Sequence, residues 1–126
     1  MPMVNAVIAL ALLEYIIFAM LVGRARVKYG VDAPAVTGNE MFERYYRVQM
    51  NTLELLIVFI PAAWMFGQFV SELWAAILGL VFILGRALYL QGYITDPKKR
   101  SAGFGLSFFP TAALLIGGLI GALRAM

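Results

Sequence analysis

One apolar stretch of this chain is too short to cross a membrane unless charged residues enter the membrane with it. The apolar run from Leu55 to Phe66 would form a helix of only about 18 Å at 1.5 Å per residue. A bilayer core is about 30 Å thick and needs about 20 residues. A spanning helix must therefore begin near Tyr45 and include Arg47 and Glu54. Because charges within a span usually face a protein interior or a water-filled cavity, this segment is the first candidate for a functional site.

The composition is that of an integral membrane protein. Hydrophobic residues make up 63% of the 126 residues and charged residues 13%, whereas soluble domains average about 45–50% and 25%. Four apolar segments are long enough to span as helices, namely Val4–Val22, Tyr45–Phe66, Leu73–Tyr93 and Phe104–Leu123. They predict an all-α, four-helix membrane bundle that forms one domain over residues 1–126. We expect the first segment to be kept as a span rather than removed as a signal peptide, because no basic residue precedes it.

The residue types that are missing limit the chemistry of the chain itself. It contains no cysteine and no histidine, which excludes disulfides, thiolate nucleophiles and imidazole bases. We also expect no metal site. The isoelectric point near 9.5 does not indicate a nucleic-acid partner, because the basic residues flank the spans, where such residues set the topology.

The basic residues predict the orientation of the spans. They cluster in two connections, after the first span and after the third, at Arg24, Arg26, Lys28, Arg44, Arg47, Lys98, Lys99 and Arg100. The connection between the second and third spans contains none. By the positive-inside rule, the two basic connections face the cytoplasm and both termini face the opposite side. Asp96 and Pro97 predict the start of the fourth helix, as an N-cap and a first helical residue.

Helical geometry places the polar residues of the second span on one side. At about 100° per residue, Arg47, Asn51 and Glu54 lie within about 60° of one another, whereas Gln49 points away at about 200°. A second polar stripe lies on the third span, at Arg86, Tyr89 and Tyr93. Both stripes are near the basic ends of their helices. We therefore expect them to face one cavity, which Arg100 closes from the start of the fourth span.

Structural interpretations stay open for several of these residues. Arg47 and Glu54 have the spacing of an intramembrane ion pair, which needs no ligand. Glu14, in the middle of the first span, is either a proton or cation site or a packed, hydrogen-bonded carboxyl. Arg44 has the position of an ordinary charge at the membrane interface.

The predicted cavity combines arginines, one carboxylate, one amide and two phenols. This set complements a small zwitterionic anion, because Glu54 can accept from an ammonium group while arginines bind carboxylates. Glutathione has this chemistry. Its thiol also supplies the sulfur nucleophile that a cysteine-free chain lacks.

Four motifs, in this order, resemble the family of membrane-associated proteins in eicosanoid and glutathione metabolism (MAPEG), which includes microsomal glutathione transferases and leukotriene C synthase. They are GRARVKYGVDAPAVTG (23–38), FERYYRVQMNTLE (42–54), GRALYLQGY (85–93) and DPKKRSAGFGLS (96–107). The resemblance covers nearly the whole chain. It implies a four-helix protomer, a homotrimer, and a glutathione pocket that lies between neighbouring subunits and faces the cytoplasm.

The resemblance also implies roles for single residues. The glutathione ligands from one subunit would be Arg47, Asn51, Glu54, Tyr89 and Tyr93, and those from the adjacent subunit Arg26 and Gln49. The thiolate-stabilising arginine of the family lies seven residues after the second tyrosine of the third helix, which corresponds to Arg100. One departure is Leu55, which stands where leukotriene C synthase has a tyrosine that contacts the ligand. This departure concerns the lipid substrate more than the glutathione site.

The sequence therefore predicts a membrane-bound glutathione transferase in which Arg100 stabilises the thiolate of the bound cosubstrate. The thiolate would attack a lipophilic electrophile or reduce a lipid hydroperoxide, either of which would arrive among the membrane lipids. Two alternatives are a non-enzymatic lipid-binding scaffold of the lipoxygenase-activating type and a small four-span multidrug transporter. The concentration of polar residues at one membrane face argues against the transporter, because transporters bind their substrates near the midplane.

Overall fold

Four long α-helices make up almost the whole protein. The computed structural model describes all residues, Met1–Met126, and contains no strand. The helices are α1 (Pro2–Tyr29), α2 (Glu40–Phe69), α3 (Glu72–Thr95) and α4 (Ser101–Arg124), with a short 3-10 helix at Pro97–Arg100. All four are long and apolar enough to cross a membrane. The predicted all-α membrane bundle is therefore confirmed.

The helix ends follow local signals in the sequence. Asn39 and Ser71 cap α2 and α3, because each side chain accepts a hydrogen bond from the backbone N–H three residues later. Gly30 ends α1 in the left-handed conformation, with φ at 69°. Asp96 and Pro97 begin a helix as predicted, but it is the 3-10 helix, and α4 itself starts one turn later.

The two basic connections lie at the same end of the bundle, which we call the basic end. Arg44, near the start of α2, donates to the carbonyl oxygens of Ile94 (3.1 Å) and Thr95 (3.4 Å) at the end of α3. At the opposite end, Glu72 accepts from the backbone N–H of Met3 at 3.0 Å. Successive spans thus alternate in direction, as the charge pattern predicts. Arg44 is more than an interfacial charge, since it ties two helices together.

The apolar core lies away from the basic end. Its centre is a stacked pair, Phe59 of α2 and Phe82 of α3, with ring centroids 4.0 Å apart. Leu55 packs against this core. Large apolar side chains on the outside are exposed, among them Leu13, Ile16, Ile17 and Met20 of α1. Such a surface suits lipid or another subunit rather than water.

Helices α3 and α4 approach each other backbone to backbone near the basic end. A Cβ atom at Gly85 would come within 2.8 Å of the backbone nitrogen of Ser107, and one at Gly103 would overlap the backbone of Tyr89. Larger residues would push the two helices apart. This close approach brings Ser107 next to Arg86, which is important for the site described below.

Candidate functional site

A cavity of about 410 Å³ opens at the basic end, beside the connection between α1 and α2. We call it the basic-end cavity. Its lining is mostly charged or phenolic and consists of Val36, Thr37, Glu40, Glu43, Arg44, Tyr46, Arg47, Tyr93 and Pro97. Two of the predicted glutathione ligands, Arg47 of α2 and Tyr93 of α3, meet in it. The two polar stripes therefore do converge on one cavity at these positions.

Arg47 and Glu54 form an ion pair along α2. The Nη2 atom of Arg47 lies 3.1 Å from Oε1 of Glu54, as expected for residues seven apart on one helical face. About half of each side chain is exposed, 50% for Arg47 and 56% for Glu54. Both groups therefore keep a face that is open to a charged ligand.

The phenols of the third helix lie close to this pair. The rings of Tyr89 and Tyr93 are 5.5 Å apart, and Tyr89 packs against Val48 of α2 in a small buried cluster. Tyr93 lines the basic-end cavity together with Arg47, whereas Tyr89 is only 4% exposed and does not line it. The structure thus brings the α2 cations Arg44 and Arg47 together with Tyr93 of α3 at the basic end.

Arg86 is placed differently from the sequence prediction. We expected it to line the cavity together with the tyrosines, but its side chain is completely buried between helices. Its Nη1 atom donates to Oδ1 of Asn51 at 2.7 Å and to Oγ1 of Thr52 at 3.3 Å, and its Nε donates to Oγ of Ser107 at 2.9 Å. The prediction was wrong because an arginine in an apolar span turns toward acceptors on neighbouring helices. Asn51 is thereby joined to the bundle interior.

The sequence reasoning missed Thr52 and Ser107. Both are buried hydroxyl groups, and Ser107 also donates to the carbonyl oxygen of Gly103 at 2.6 Å. The signal that would have found them is Arg86 itself. A buried guanidinium needs several acceptors, and hydroxyl groups on the facing helices are the residues that can supply them.

Arg100 does not line the basic-end cavity and is connected to it only through Pro97, but it borders a second, apolar cavity. Its exposed side chain donates to the carbonyl oxygen of Pro97 at 2.7 Å, and Pro97 lines the basic-end cavity. On the other side Arg100 borders a cavity of about 340 Å³. That second cavity is lined by Ser101, Phe104, Gly105, Phe108 and Phe109 of α4, and we call it the aromatic cavity.

Arg26 and Gln49 do not reach the basic-end cavity within one chain. Arg26 donates to two carbonyl oxygens of the connection between α1 and α2, at 3.4 Å and 2.7 Å, and lies over the ring of Phe42 at 4.7 Å. Gln49 donates to the hydroxyl of Tyr15 on α1 at 3.4 Å. Gln49 therefore points away from Arg47, as the helical geometry predicts. A role for either residue at the cavity of a second subunit stays a prediction.

Comparison with known proteins gives consistent matches over most of the chain. The model of the MAPEG family matches residues 4–120. An uncharacterized protein of Synechocystis sp. is 49% identical over 112 residues, which cover 89% of this chain and 82% of that protein. Human microsomal glutathione S-transferase 2 is 47% identical over 104 residues, with coverages of 82% and 71%. Bovine leukotriene C4 synthase is 39% identical over 85 residues, with coverages of 68% and 57%. The family match begins in α1 and ends in α4, so it includes every helix that builds the site.

Proposed function

This chain belongs to the MAPEG family, and on that premise we propose that it is a membrane-bound glutathione transferase. The observation that carries the proposal is that Arg47, which is paired with Glu54, and Tyr93 line one cavity at the basic end, with the ring of Tyr89 5.5 Å from that of Tyr93. These groups complement a zwitterionic ligand with several carboxylates. The relatives named above as a transferase and a synthase do not favour a lipid-binding scaffold or a multidrug transporter.

Binding of glutathione would exchange one ion pair for two. A ligand carboxylate would bind Arg47, and the ligand ammonium would bind Glu54, so that each charge keeps a partner of opposite sign. Asn51, Tyr89 and Tyr93 would add hydrogen bonds from the same subunit. The half exposure of Arg47 and Glu54 supports this exchange, because neither side chain has to leave a packed core to reach the ligand.

Arg100 would activate the thiol. A free thiol has a pKa of about 8.5 and is mostly protonated at neutral pH, but a neighbouring cation favours the thiolate. The proton would pass to solvent at the exposed basic end. The thiolate would then form a sulfur–carbon bond with an electrophilic acceptor, whose leaving group departs with the bonding electrons. With a lipid hydroperoxide, two glutathione molecules would be oxidised to the disulfide while the hydroperoxide becomes an alcohol and water.

The acceptor would be lipophilic and reach the sulfur from the membrane side. An apolar groove of about 640 Å³ adjoins the aromatic cavity along α4, and Ser101, Gly105 and Phe109 line both. These two neighbouring apolar surfaces support lateral entry of a membrane-dissolved substrate along α4. The polar cosubstrate and the apolar acceptor would then meet at Arg100 from opposite sides.

We expect the functional unit to be a homotrimer, with the basic end facing the cytoplasm. The support is that neither Arg26 nor Gln49 lines the cavity of its own chain, where each is hydrogen-bonded to other groups. Mass measurement of the detergent-solubilised complex should give three chains per particle. A stable monomer or dimer that binds glutathione with full affinity would contradict this prediction.

Calorimetry on the detergent-purified protein tests the proposed function. We expect a saturable heat of binding for glutathione, and formation of a glutathione conjugate when 1-chloro-2,4-dinitrobenzene is added. An analogue in which the sulfur is replaced by a methyl group should bind but form no conjugate. Absence of glutathione binding would refute the transferase proposal, and binding without conjugation of any electrophile or reduction of hydroperoxide would favour the scaffold.

A further inference from the structure

Arg86 occupies the centre of a polar cluster that joins three helices. Its partners are Asn51 and Thr52 on α2 and Ser107 on α4, while Arg86 itself is on α3. No part of Arg86 is exposed. It therefore cannot contact a ligand in the cavity, although it contacts a residue that is proposed to bind one.

The contact with Arg86 determines which way the amide of Asn51 points. An asparagine amide has an accepting oxygen on one side and two donor hydrogens on the other. In this structure Oδ1 accepts from Nη1 of Arg86 at 2.7 Å. The NH₂ group is therefore the end that is left for a ligand, and it can donate to a carboxylate or a sulfur anion.

Two further contacts hold Arg86 in the position that this hydrogen bond needs. The hydroxyl of Ser107 donates to the carbonyl of Gly103, so its lone pairs are turned toward Nε of Arg86 at 2.9 Å. On another side the guanidinium lies 4.3 Å from the centre of the Tyr89 ring, a favourable cation–π distance. The guanidinium of Arg86 is thus fixed by Tyr89 of α3 and Ser107 of α4 while it donates to Asn51 of α2.

We propose that Arg86 is a positioning residue for glutathione binding, which acts by fixing the amide of Asn51 with its NH₂ group toward the ligand. This inference rests on the proposed function. The NH₂ group of Asn51 would donate a hydrogen bond to an acceptor group of glutathione, which is a carboxylate, a carbonyl or the thiolate. Without Arg86 the amide would be free to flip, and in one of its two orientations it would present oxygen to an anion.

Glu14 of α1 has a different part in the same cluster. It forms no direct ion pair with Arg86, and its Oε1 atom is buried without a hydrogen-bond partner, as is Nη2 of Arg86. The two groups are nevertheless within electrostatic reach of each other. Glu14 is therefore a neighbour of Arg86 that does not orient its donors. Glu14 can therefore be substituted without altering the hydrogen bond between Arg86 and Asn51, which makes it a matched control.

The test measures glutathione affinity by calorimetry in a double-mutant cycle. Arg86→Lys keeps the charge but replaces the planar fork with a single nitrogen, which cannot bind Ser107 and Asn51 in the same geometry. We expect this variant to bind glutathione about 10- to 100-fold more weakly. In the Asn51→Ala background the same substitution should change affinity by less than about threefold, because there is no amide left to orient.

Two further variants keep the result interpretable. Glu14→Gln changes a buried neighbour of Arg86 without touching the hydrogen bond to Asn51, and it should retain affinity within about twofold even where thermal stability falls. Ser107→Ala removes the acceptor of Nε of Arg86. This variant takes the place of Arg86→Lys if the Arg86→Lys protein does not fold. Its loss of affinity should be about three- to tenfold and should also vanish in the Asn51→Ala background.

The outcomes separate this inference from the proposed function. If the wild-type protein does not bind glutathione, the transferase proposal fails and this inference fails with it. If the wild type binds and Arg86→Lys binds equally well, only the positioning role is overturned. The positioning role is also overturned if the losses of glutathione affinity in Arg86→Lys and Asn51→Ala add up in the double variant. It is overturned as well if Glu14→Gln loses as much affinity as Arg86→Lys. Either result would indicate a general structural effect.

Discussion

Replacing Arg100 by alanine is expected to lower the rate of glutathione conjugation by about 10- to 1,000-fold while glutathione stays bound. The physical reason is that the guanidinium stabilises the sulfur as an anion, whereas the carboxylates and the ammonium group of the ligand are held by other residues. The rate should be measured at neutral pH with saturating glutathione. The ultraviolet absorption band of the bound thiolate should fall in parallel with the rate.

The conjugation rate of Arg100→Ala should depend on pH differently from that of the wild type. Without the cation, the pKa of the bound thiol should rise toward the ordinary value of about 8.5, so that its thiolate fraction at neutral pH is small. The rate of Arg100→Ala should then increase as the pH is raised toward that value, while the wild-type rate is already on its plateau. The difference between the two proteins should therefore narrow at alkaline pH.

Lys99→Ala is the matched control for Arg100. Lys99 is also basic and belongs to the same 3-10 turn, but it does not border the aromatic cavity. Its rate should stay within about twofold of the wild type, as is usual for a screened surface charge. A full rate and a normal thiolate band in Arg100→Ala would reduce Arg100 to a topology-setting charge, and a tyrosine would then have to activate the sulfur.

The polar face of α2 could be predicted from the sequence because it depends on local geometry alone. Once α2 is a helix, the positions of Arg47, Asn51 and Glu54 follow from 3.6 residues per turn. The structure places Arg47 and Glu54 3.1 Å apart on that face, and Gln49 on another side against Tyr15. The same local rules predicted the start of a helix at Asp96 and Pro97.

The burial of Arg86 could not be predicted in this way, because it depends on how α4 packs. The helical period puts Arg86 on a stripe with Tyr89 and Tyr93 but does not say which part of the stripe a neighbouring helix covers. Glycines at the contact let α3 and α4 come so close that Ser107 reaches Nε of Arg86. Only this tertiary contact, together with the acceptors on α2, turns Arg86 from a cavity residue into an interior one.

Loss of either charge in the Arg47–Glu54 pair is expected to weaken glutathione binding by about 2 to 4 kcal/mol, or about 30- to 700-fold. In Arg47→Ala a ligand carboxylate would be left without its cation, and in Glu54→Gln the ligand ammonium would lose its carboxylate. Calorimetry with each purified variant measures the effect. Glu43→Gln is the control, since Glu43 lines the same cavity but accepts a hydrogen bond from the backbone of Gly38, which glutamine can also accept.

Exchanging the two charges distinguishes a ligand site from a merely structural ion pair. The double variant Arg47→Glu with Glu54→Arg re-forms an ion pair along α2, so thermal stability should return to near the wild-type value. Glutathione affinity should stay low, because the ligand carboxylate would now face a glutamate and the ligand ammonium an arginine. If affinity instead returned with stability, the pair would support only the helix, and the charges that recognise glutathione would have to be sought among the other arginines of the basic end.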